Sequence, residues 1–98
     1  MLFSRYQYAI VPASAAAQVG LTGARRLVAF QLFGGSADSQ VEFKNAATDT
    51  GTVMMSANCL AKTSTPLFCY EELGGIPFDT AMFCKPAGTG AICHVWYE

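Results

Sequence analysis

Four cysteines have the widest range of possible chemistry in this 98-residue chain, since a thiolate can bind a metal, form a disulfide or act as a nucleophile. They are Cys59, Cys69, Cys84 and Cys93. No two form a C-x-x-C pair, whereas a structural zinc site takes two close pairs of ligands. Disulfides are the alternative, for example Cys84–Cys93 between the last two strands. We expect four reduced, buried thiols that pack as small hydrophobic groups, because no export signal precedes them.

The single histidine, His94, alternates along the chain with Ile92 and Trp96, as residues on one face of a strand do. Nucleophilic catalysis needs a serine or cysteine within reach of the histidine and an acid that orients it. No nucleophile motif such as G-x-S-x-G occurs in the sequence. We therefore interpret His94 as a half-exposed strand residue.

The acids that invite comparison with a glycosidase pair are Glu71, Glu72 and Asp79. Adjacent glutamates on a strand point to opposite faces, so we interpret these two as solvating a strand end. Asp38 and Asp49 fall in predicted turns, where aspartate is common. The sequence thus predicts no catalytic residue, no cofactor-binding residue, no metal site and no enzyme.

Aromatic residues offer one further binding chemistry, because Tyr8, Tyr70, Trp96 and Tyr97 are the residue types that form sugar-binding platforms. In a small β-sandwich such residues more often belong to the core or to a subunit interface. A carbohydrate-binding module stays an alternative that requires exposed, coplanar rings.

The composition favours a protein that is covered by other protein chains. Hydrophobic residues make up 52% of the chain and charged residues only 13%, about half the usual share. A small domain has a large surface, so this deficit of charge predicts a partner surface. The net charge is −1, and Arg25-Arg26 is the only cationic pair, which excludes binding to nucleic acid by phosphate neutralisation.

No apolar run reaches the roughly 20 residues that span a bilayer, so we expect no membrane association. Residues 1–6 lack a charged segment followed by an apolar one, the pattern of a signal peptide. We expect a protein that is made in a cytoplasm and is not exported by a leader.

Short runs of β-branched and aromatic residues, separated by Gly, Pro, Asn and Asp, predict strands throughout. No segment keeps a helical period. The fold class that follows is all-β, an antiparallel β-sandwich of jelly-roll or Ig-like type with about seven strands. The predicted strands are residues 2–11, 25–33, 40–44, 52–61, 66–72, 81–85 and 91–97.

The last quarter of the chain is predicted to be a hairpin, with residues 81–85 and 91–97 as strands around a turn at residues 86–90. Because the final strand ends in Val95-Trp96-Tyr97, it has to be paired inside a sheet. We expect a single domain over residues 1–98. Residues 1–23 would form an N-terminal strand and arm, and residues 24–98 a compact series of strands.

From Arg25 onward, over about three quarters of the chain, the order of features resembles small β-sandwich structural proteins of tailed bacteriophages, including capsid decoration (cement) proteins of some cyanophages. The resemblance is carried by the strand before Gly34-Gly35-Ser36-Ala37, by Val41-Glu42-Phe43, by the turn and strand over residues 45–53, by residues 74–80 and by the terminal strand. The cysteines depart from that group, where Val, Ala or Thr is usual, and leave a disulfide-stabilised virion protein open.

The resemblance implies a non-enzymatic virion protein, made in the host cytoplasm, that stabilises an assembled capsid. It implies a homo-oligomer, with a trimer favoured, and as partners the major capsid protein or other virion proteins. A tail or neck component of the same fold is an alternative that the sequence does not separate from a capsid protein. The predicted arm, residues 2–23, is the segment expected to reach a neighbouring subunit.

Overall fold

The computed structural model describes residues 6–20 and 25–98, and within them the chain forms nine β-strands and two short 3-10 helices. The helices are Ala13–Ala15 and Glu71–Leu73. The strands are β1 (Gln7–Pro12), β2 (Ala17–Gln18), β3 (Arg25–Phe33), β4 (Ser39–Lys44), β5 (Val53–Cys59), β6 (Phe68–Cys69), β7 (Ile76–Phe78), β8 (Phe83–Ala87) and β9 (Ile92–Tyr97).

Two antiparallel sheets pack face to face, which confirms the predicted all-β sandwich. Sheet A has the order β1-β9-β3-β6, with β7 also paired to β3, and sheet B has the order β2-β8-β4-β5. The pairs β1–β9, β2–β8, β3–β6 and β4–β5 together form one long ribbon whose closed end is the β4–β5 hairpin. Rolling this ribbon around the core distributes its strands between the two sheets, which is jelly-roll topology.

The core between the sheets follows from strand alternation, because every second residue points inward. Phe30 from sheet A and Phe43 from sheet B are fully buried, with ring centroids 4.9 Å apart. Phe68 packs on the other side of Phe30 at 5.2 Å. Each such side chain contributes about 1.5–3 kcal/mol on burial. Among the described residues, the other large side chains that are fully buried are Val19, Leu27, Val28, Leu32, Val41, Phe78, Met82, Cys84, Cys93 and Val95.

The terminal strand β9 lies inside sheet A between β1 and β3, as its aromatic sequence predicted. The predicted hairpin with residues 81–85 is wrong, however. Strand β8 belongs to sheet B and pairs with β2 and β4, so the connection through residues 88–91 crosses from one sheet to the other. The Gly/Pro cluster indicated correctly that the chain turns there, but a local turn signal does not determine which strand becomes the partner.

Part of the predicted arm belongs to the sandwich. Strand β1 makes a six-residue ladder with β9, and β2 pairs with β8. Val19 is buried, and its backbone N–H donates to the carbonyl of Met82 at 2.7 Å. Residues 17–18 are therefore part of the sandwich and not of a free arm. Residues 2–5 and 21–23 of the predicted arm lie outside the described residues.

Strand β3 has the predicted bounds and lies between β9 on one side and β6 and β7 on the other. The alternation of inward and outward side chains is interrupted along this strand. A register shift between Leu27 and Ala29 places Leu27 in the core together with Phe30 and Leu32. A bulge adds one residue and so reverses the alternation beyond it.

The predicted strand over residues 66–72 is shorter than expected. Within residues 66–72, Phe68 and Cys69 form the strand that the described part of the chain shows, and the two glutamates lie in the 3-10 helix Glu71–Leu73 instead of on a strand. Conversely, residues 74–80, which lie outside the predicted strands, contain β7. Among the described strands, β7 pairs only with β3, and this edge position suits Pro77, which has no backbone N–H to donate.

The four cysteines are free thiols, but they are not equally buried. Cys84 and Cys93 lie in the core, whereas Cys59 is partly exposed and Cys69 is exposed. The expectation of four buried thiols is thus wrong for two of them. A hydrogen bond with Cys93 across the sheets, together with burial, raises the pKa of the Cys84 thiol.

We expect Ellman titration of the native protein to show one fast thiol, Cys69, and one slower thiol, Cys59, because thiol reactivity follows exposure. Cys84 and Cys93 should react only after unfolding. Denaturation without a reductant should then give all four thiols. A total below four would mean that disulfides have formed.

Candidate interaction surface

The structure brings together no predicted catalytic set. Among residues 6–20 and 25–98, no group of three or more His, Cys, Asp or Glu side chains is placed to hold a metal ion. His94 is a half-buried residue of β9 on the outside of sheet A, as predicted from its alternation with Ile92 and Trp96. Its Nδ1 atom hydrogen bonds with the Tyr8 hydroxyl, so its described partner is a phenol.

The acidic residues have separate structural partners. The hydroxyl of Tyr6 donates to Glu71 Oε2 at 2.7 Å beside sheet A. Asp79 instead accepts from the Asn45 amide at 2.6 Å in the loops next to sheet B. Asp38 accepts from the Ala61 backbone N–H at 3.0 Å. These bonds fix loops and ends of strands, and they do not unite Glu71 with Asp79 as the glycosidase comparison requires.

The feature that stands out is the outer face of sheet A, which is aromatic and aliphatic where solvent-facing strands usually carry polar residues. Tyr8 and Ile10 of β1 are 48% and 54% exposed. Ladder pairing places them opposite Trp96 and His94 of β9. We call this surface the apolar face; it consists of Tyr8, Ile10, Gln31, Phe33, Ile92, His94 and Trp96.

Ring contacts hold the apolar face together. The Tyr8 ring lies 5.0 Å from the Trp96 ring and 5.7 Å from His94, measured between centroids. Phe33 meets His94 edge to face at 5.0 Å, with an angle of 69° between the ring planes. Such contacts restrict the side chains before any partner arrives, which lowers the entropy cost of binding.

The outer face of sheet B provides an internal comparison, because it has the expected polar character. Asp49 forms ion pairs with Lys44 at 2.5 Å and with Lys85 at 2.7 Å. The hydrogen bond from Lys44 is the main reason that the pKa of Asp49 is lowered, and the bond to Asp49 raises the pKa of Lys85. Glu42 lies 3.9 Å from Lys44 in the same group. Sheet B thus presents charges to solvent, whereas the apolar face carries no Asp, Glu, Lys or Arg.

The sequence patterns assigned Tyr8 and Trp96 to a sugar platform or, more often for such residues, to the core or a subunit interface, and they did not locate the apolar face. The signal that marks it is that β1 and β9 are apolar at both alternating sets of positions, for example at Ile92 as well as at Cys93. A strand of this kind is buried on both faces or contacts a partner. Finding the face also required the β1–β9 pairing, which joins residues at opposite ends of the chain.

The fold and this surface define the class of the protein: an antiparallel jelly-roll sandwich with one polar and one apolar outer face. Jelly rolls occur in viral capsid domains, in lectins and in cupins, so topology alone leaves function open. Along the described residues, no helix has both the length and the apolar character needed to cross a membrane.

No protein-family model and no curated protein matches the chain. Among solved structures, the coat protein of Tobacco streak virus is similar over 95% of this chain and 86% of that chain, with 10% sequence identity and a TM-score of 0.33. The structure of infectious bursal disease virus strain Gx is similar over 97% of this chain but only 37% of that chain, with 11% identity and a TM-score of 0.28. At these scores the similarities add nothing to the fold that the strand order defines.

Proposed function

We propose that the protein is a non-enzymatic virion structural protein of a tailed bacteriophage, a capsid decoration or cement protein that stabilises the assembled shell. The observation that supports this most is the uncharged, aromatic outer face of sheet A on a small jelly roll. The resemblance over residues 25–98 points the same way. The low content of charged residues, 13%, is what a chain largely covered by partners requires.

The apolar face is the proposed docking surface on the capsid protein. Aromatic side chains near the centre of an interface supply most of the binding energy, and a polar rim excludes water around them. Tyr8 and Trp96 form such a centre. Arg26 and the hydrogen-bonded Tyr6–Glu71 pair lie beyond one end of the face, where a rim would be.

The proposed role requires tighter binding to closed shells than to free capsid subunits. A surface that spans a junction between capsid subunits exists only after assembly, and affinity requires a large complementary patch. The energy of bracing would come from many apolar contacts spread over the face.

The proposed location is the virion, after synthesis in the host cytoplasm, and the proposed partners are the major capsid protein and further copies of this chain. The resemblance implies a trimer, whereas the free edge of β5 favours a contact between two copies. The mass of the purified protein, measured by light scattering at several concentrations, decides between them.

A carbohydrate-binding module fits the face less well. Sugar rings stack on exposed coplanar aromatics, but Tyr8 and Trp96 are tilted by 35° to each other, and Phe33 stands edge-on to His94. The tail or neck alternative uses the same fold and the same kind of face, so it is separated from the capsid role only by where the protein is found.

Particles that lack the protein should assemble but rupture at a lower temperature than complete particles. The reason is that binding to the closed shell stabilises that shell by mass action. The measurement is release of the genome on heating, followed with a DNA-binding dye, with purified protein added back as the control. Unchanged rupture together with a failure to attach to host cells would contradict the capsid role and support the tail alternative.

A further inference from the structure

Strand β5 forms a long free edge at the end of sheet B. Its ladder partner is β4, and no other strand within residues 6–20 and 25–98 pairs with it. Among the described residues, no backbone hydrogen bond outside the sheet involves residues 53–59. One side of this strand therefore presents unpaired N–H and C=O groups to solvent, which is a template for a further strand.

This edge lacks the usual protection against pairing. Proteins block exposed edges with proline, with lysine and other charges, or by keeping the strand very short. Strand β5 has seven residues and contains no proline and no charged residue. The other edges in the described part of the chain are better protected, because β2 and β6 have two residues each, β7 contains Pro77, and β1 ends at Pro12.

We propose that β5 pairs in antiparallel orientation with β5 of a second copy of this chain. A register shift beside Lys44 leaves Met54 outside the regular ladder with β4. The regular run of β5 is thus residues 55–59, and its centre is Ala57. A two-fold axis at Ala57 places Ser56 of one copy opposite Asn58 of the other, and Met55 opposite Cys59.

The strand is its own chemical complement in this register. On the outer face, the Ser56 hydroxyl meets the Asn58 amide twice, once on each side of the axis, and each pair supplies a donor and an acceptor. On the inner face, Met55, Ala57 and Cys59 pack against the core of their own copy and bring apolar groups together. No like charges face each other in this register. The pairing joins the two copies of sheet B into one eight-stranded sheet.

The contact area is small, so the pairing is expected to form only where copies are held close together. A single strand pair buries less than the roughly 1,200 Å² at which stable interfaces begin, so we expect a dissociation constant on the order of 100 μM in solution. Copies held close together on one surface experience a far higher effective concentration. The pairing would therefore link neighbouring copies on a surface while the dilute protein stays mostly monomeric.

Two double variants test the register directly. In S56K/N58K, lysine faces lysine at both pairs, whereas in S56K/N58E each lysine faces a glutamate of the other copy. Ser56 and Asn58 are exposed, so both variants should melt close to the wild-type temperature. Sedimentation velocity up to about 1 mM protein should show wild type dimerising, S56K/N58K at least ten-fold weaker, and S56K/N58E restored.

Hydrogen exchange gives a second measurement on the wild-type protein. Amides in residues 53–59 that face the free edge should gain protection as the concentration rises, and amides of β1 should not. A wild-type monomer at about 1 mM, equal dissociation of the two variants, or a concentration-independent trimer would each overturn the pairing. None of these results bears on docking by the apolar face, which lies on the other sheet and is tested separately.

Discussion

A chain that lacks residues 1–23 is expected to lose its cooperative unfolding transition altogether. The deletion removes β1, the ladder partner of β9, and it removes β2 from the edge of sheet B. It also removes the buried side chains of Val11 and Val19. A domain of this size has only about 5–15 kcal/mol of net stability, and the loss of a six-residue ladder with two buried valines approaches that total. Circular dichroism during thermal unfolding measures the effect.

The substitution Val19→Ala serves as a graded control. It should lower the free energy of unfolding by about 2 kcal/mol and leave the transition cooperative, because it deletes only part of one buried side chain. A truncated chain that still melted cooperatively would show that residues 1–23 are the appended arm that the sequence pattern predicted.

The second large effect concerns binding. Ile10→Asp should reduce the affinity for shells at least about 100-fold, because docking would bury an unpaired carboxylate at a cost of several kcal/mol. The probe is a particle produced without the protein, and the measurement is the amount of variant that co-sediments with it across a concentration series.

The matched control is Gln40→Asp, which adds the same charge to the polar outer face of sheet B. Both positions are exposed, so neither variant should unfold, and thermal melting verifies this. Gln40→Asp should bind like wild type. If both variants bound shells as tightly as wild type, docking through the apolar face would be contradicted. If both lost affinity equally, the loss would reflect net charge alone, which would also contradict it.

Positions of the longer strands could be predicted from the sequence, because alternation and turn residues are local signals. The segment Arg25–Phe33 has the predicted bounds, and Val41 and Phe43 of the predicted strand 40–44 are buried. Pairing could not be predicted in the same way. The terminal strand β9 pairs with β1, which begins 85 residues earlier in the chain, and no local pattern encodes such a contact.

The same limit explains the errors at β8 and at the predicted arm. The glycines between β8 and β9 are typical of a hairpin turn, and Gly88 and Gly90 do adopt positive φ angles there. The chain nevertheless passes from sheet B to sheet A at this turn. Residues 17–18 have little strand propensity of their own, and they pair because β8 offers an edge. Tertiary context overrides propensity in such short segments.

The sequence predicted that a partner surface exists, but it did not predict where that surface lies. The low content of charged residues predicted a partner. The surface itself combines residues from β1, β3 and β9, so its location depended on the sheet order. Its aromatic pair, Tyr8 and Trp96, comes from opposite ends of the chain and is joined by the β1–β9 ladder.

Cryo-electron microscopy of particles that carry the protein shows both the location of the protein and its orientation, and so tests docking on the capsid through the apolar face. We expect density for the jelly roll on the capsid shell, with Tyr8, Ile10 and Trp96 facing the capsid protein and the Lys44–Asp49–Lys85 face directed to solvent. Density on the tail, or a shell-bound protein with the apolar face exposed to solvent, would contradict it.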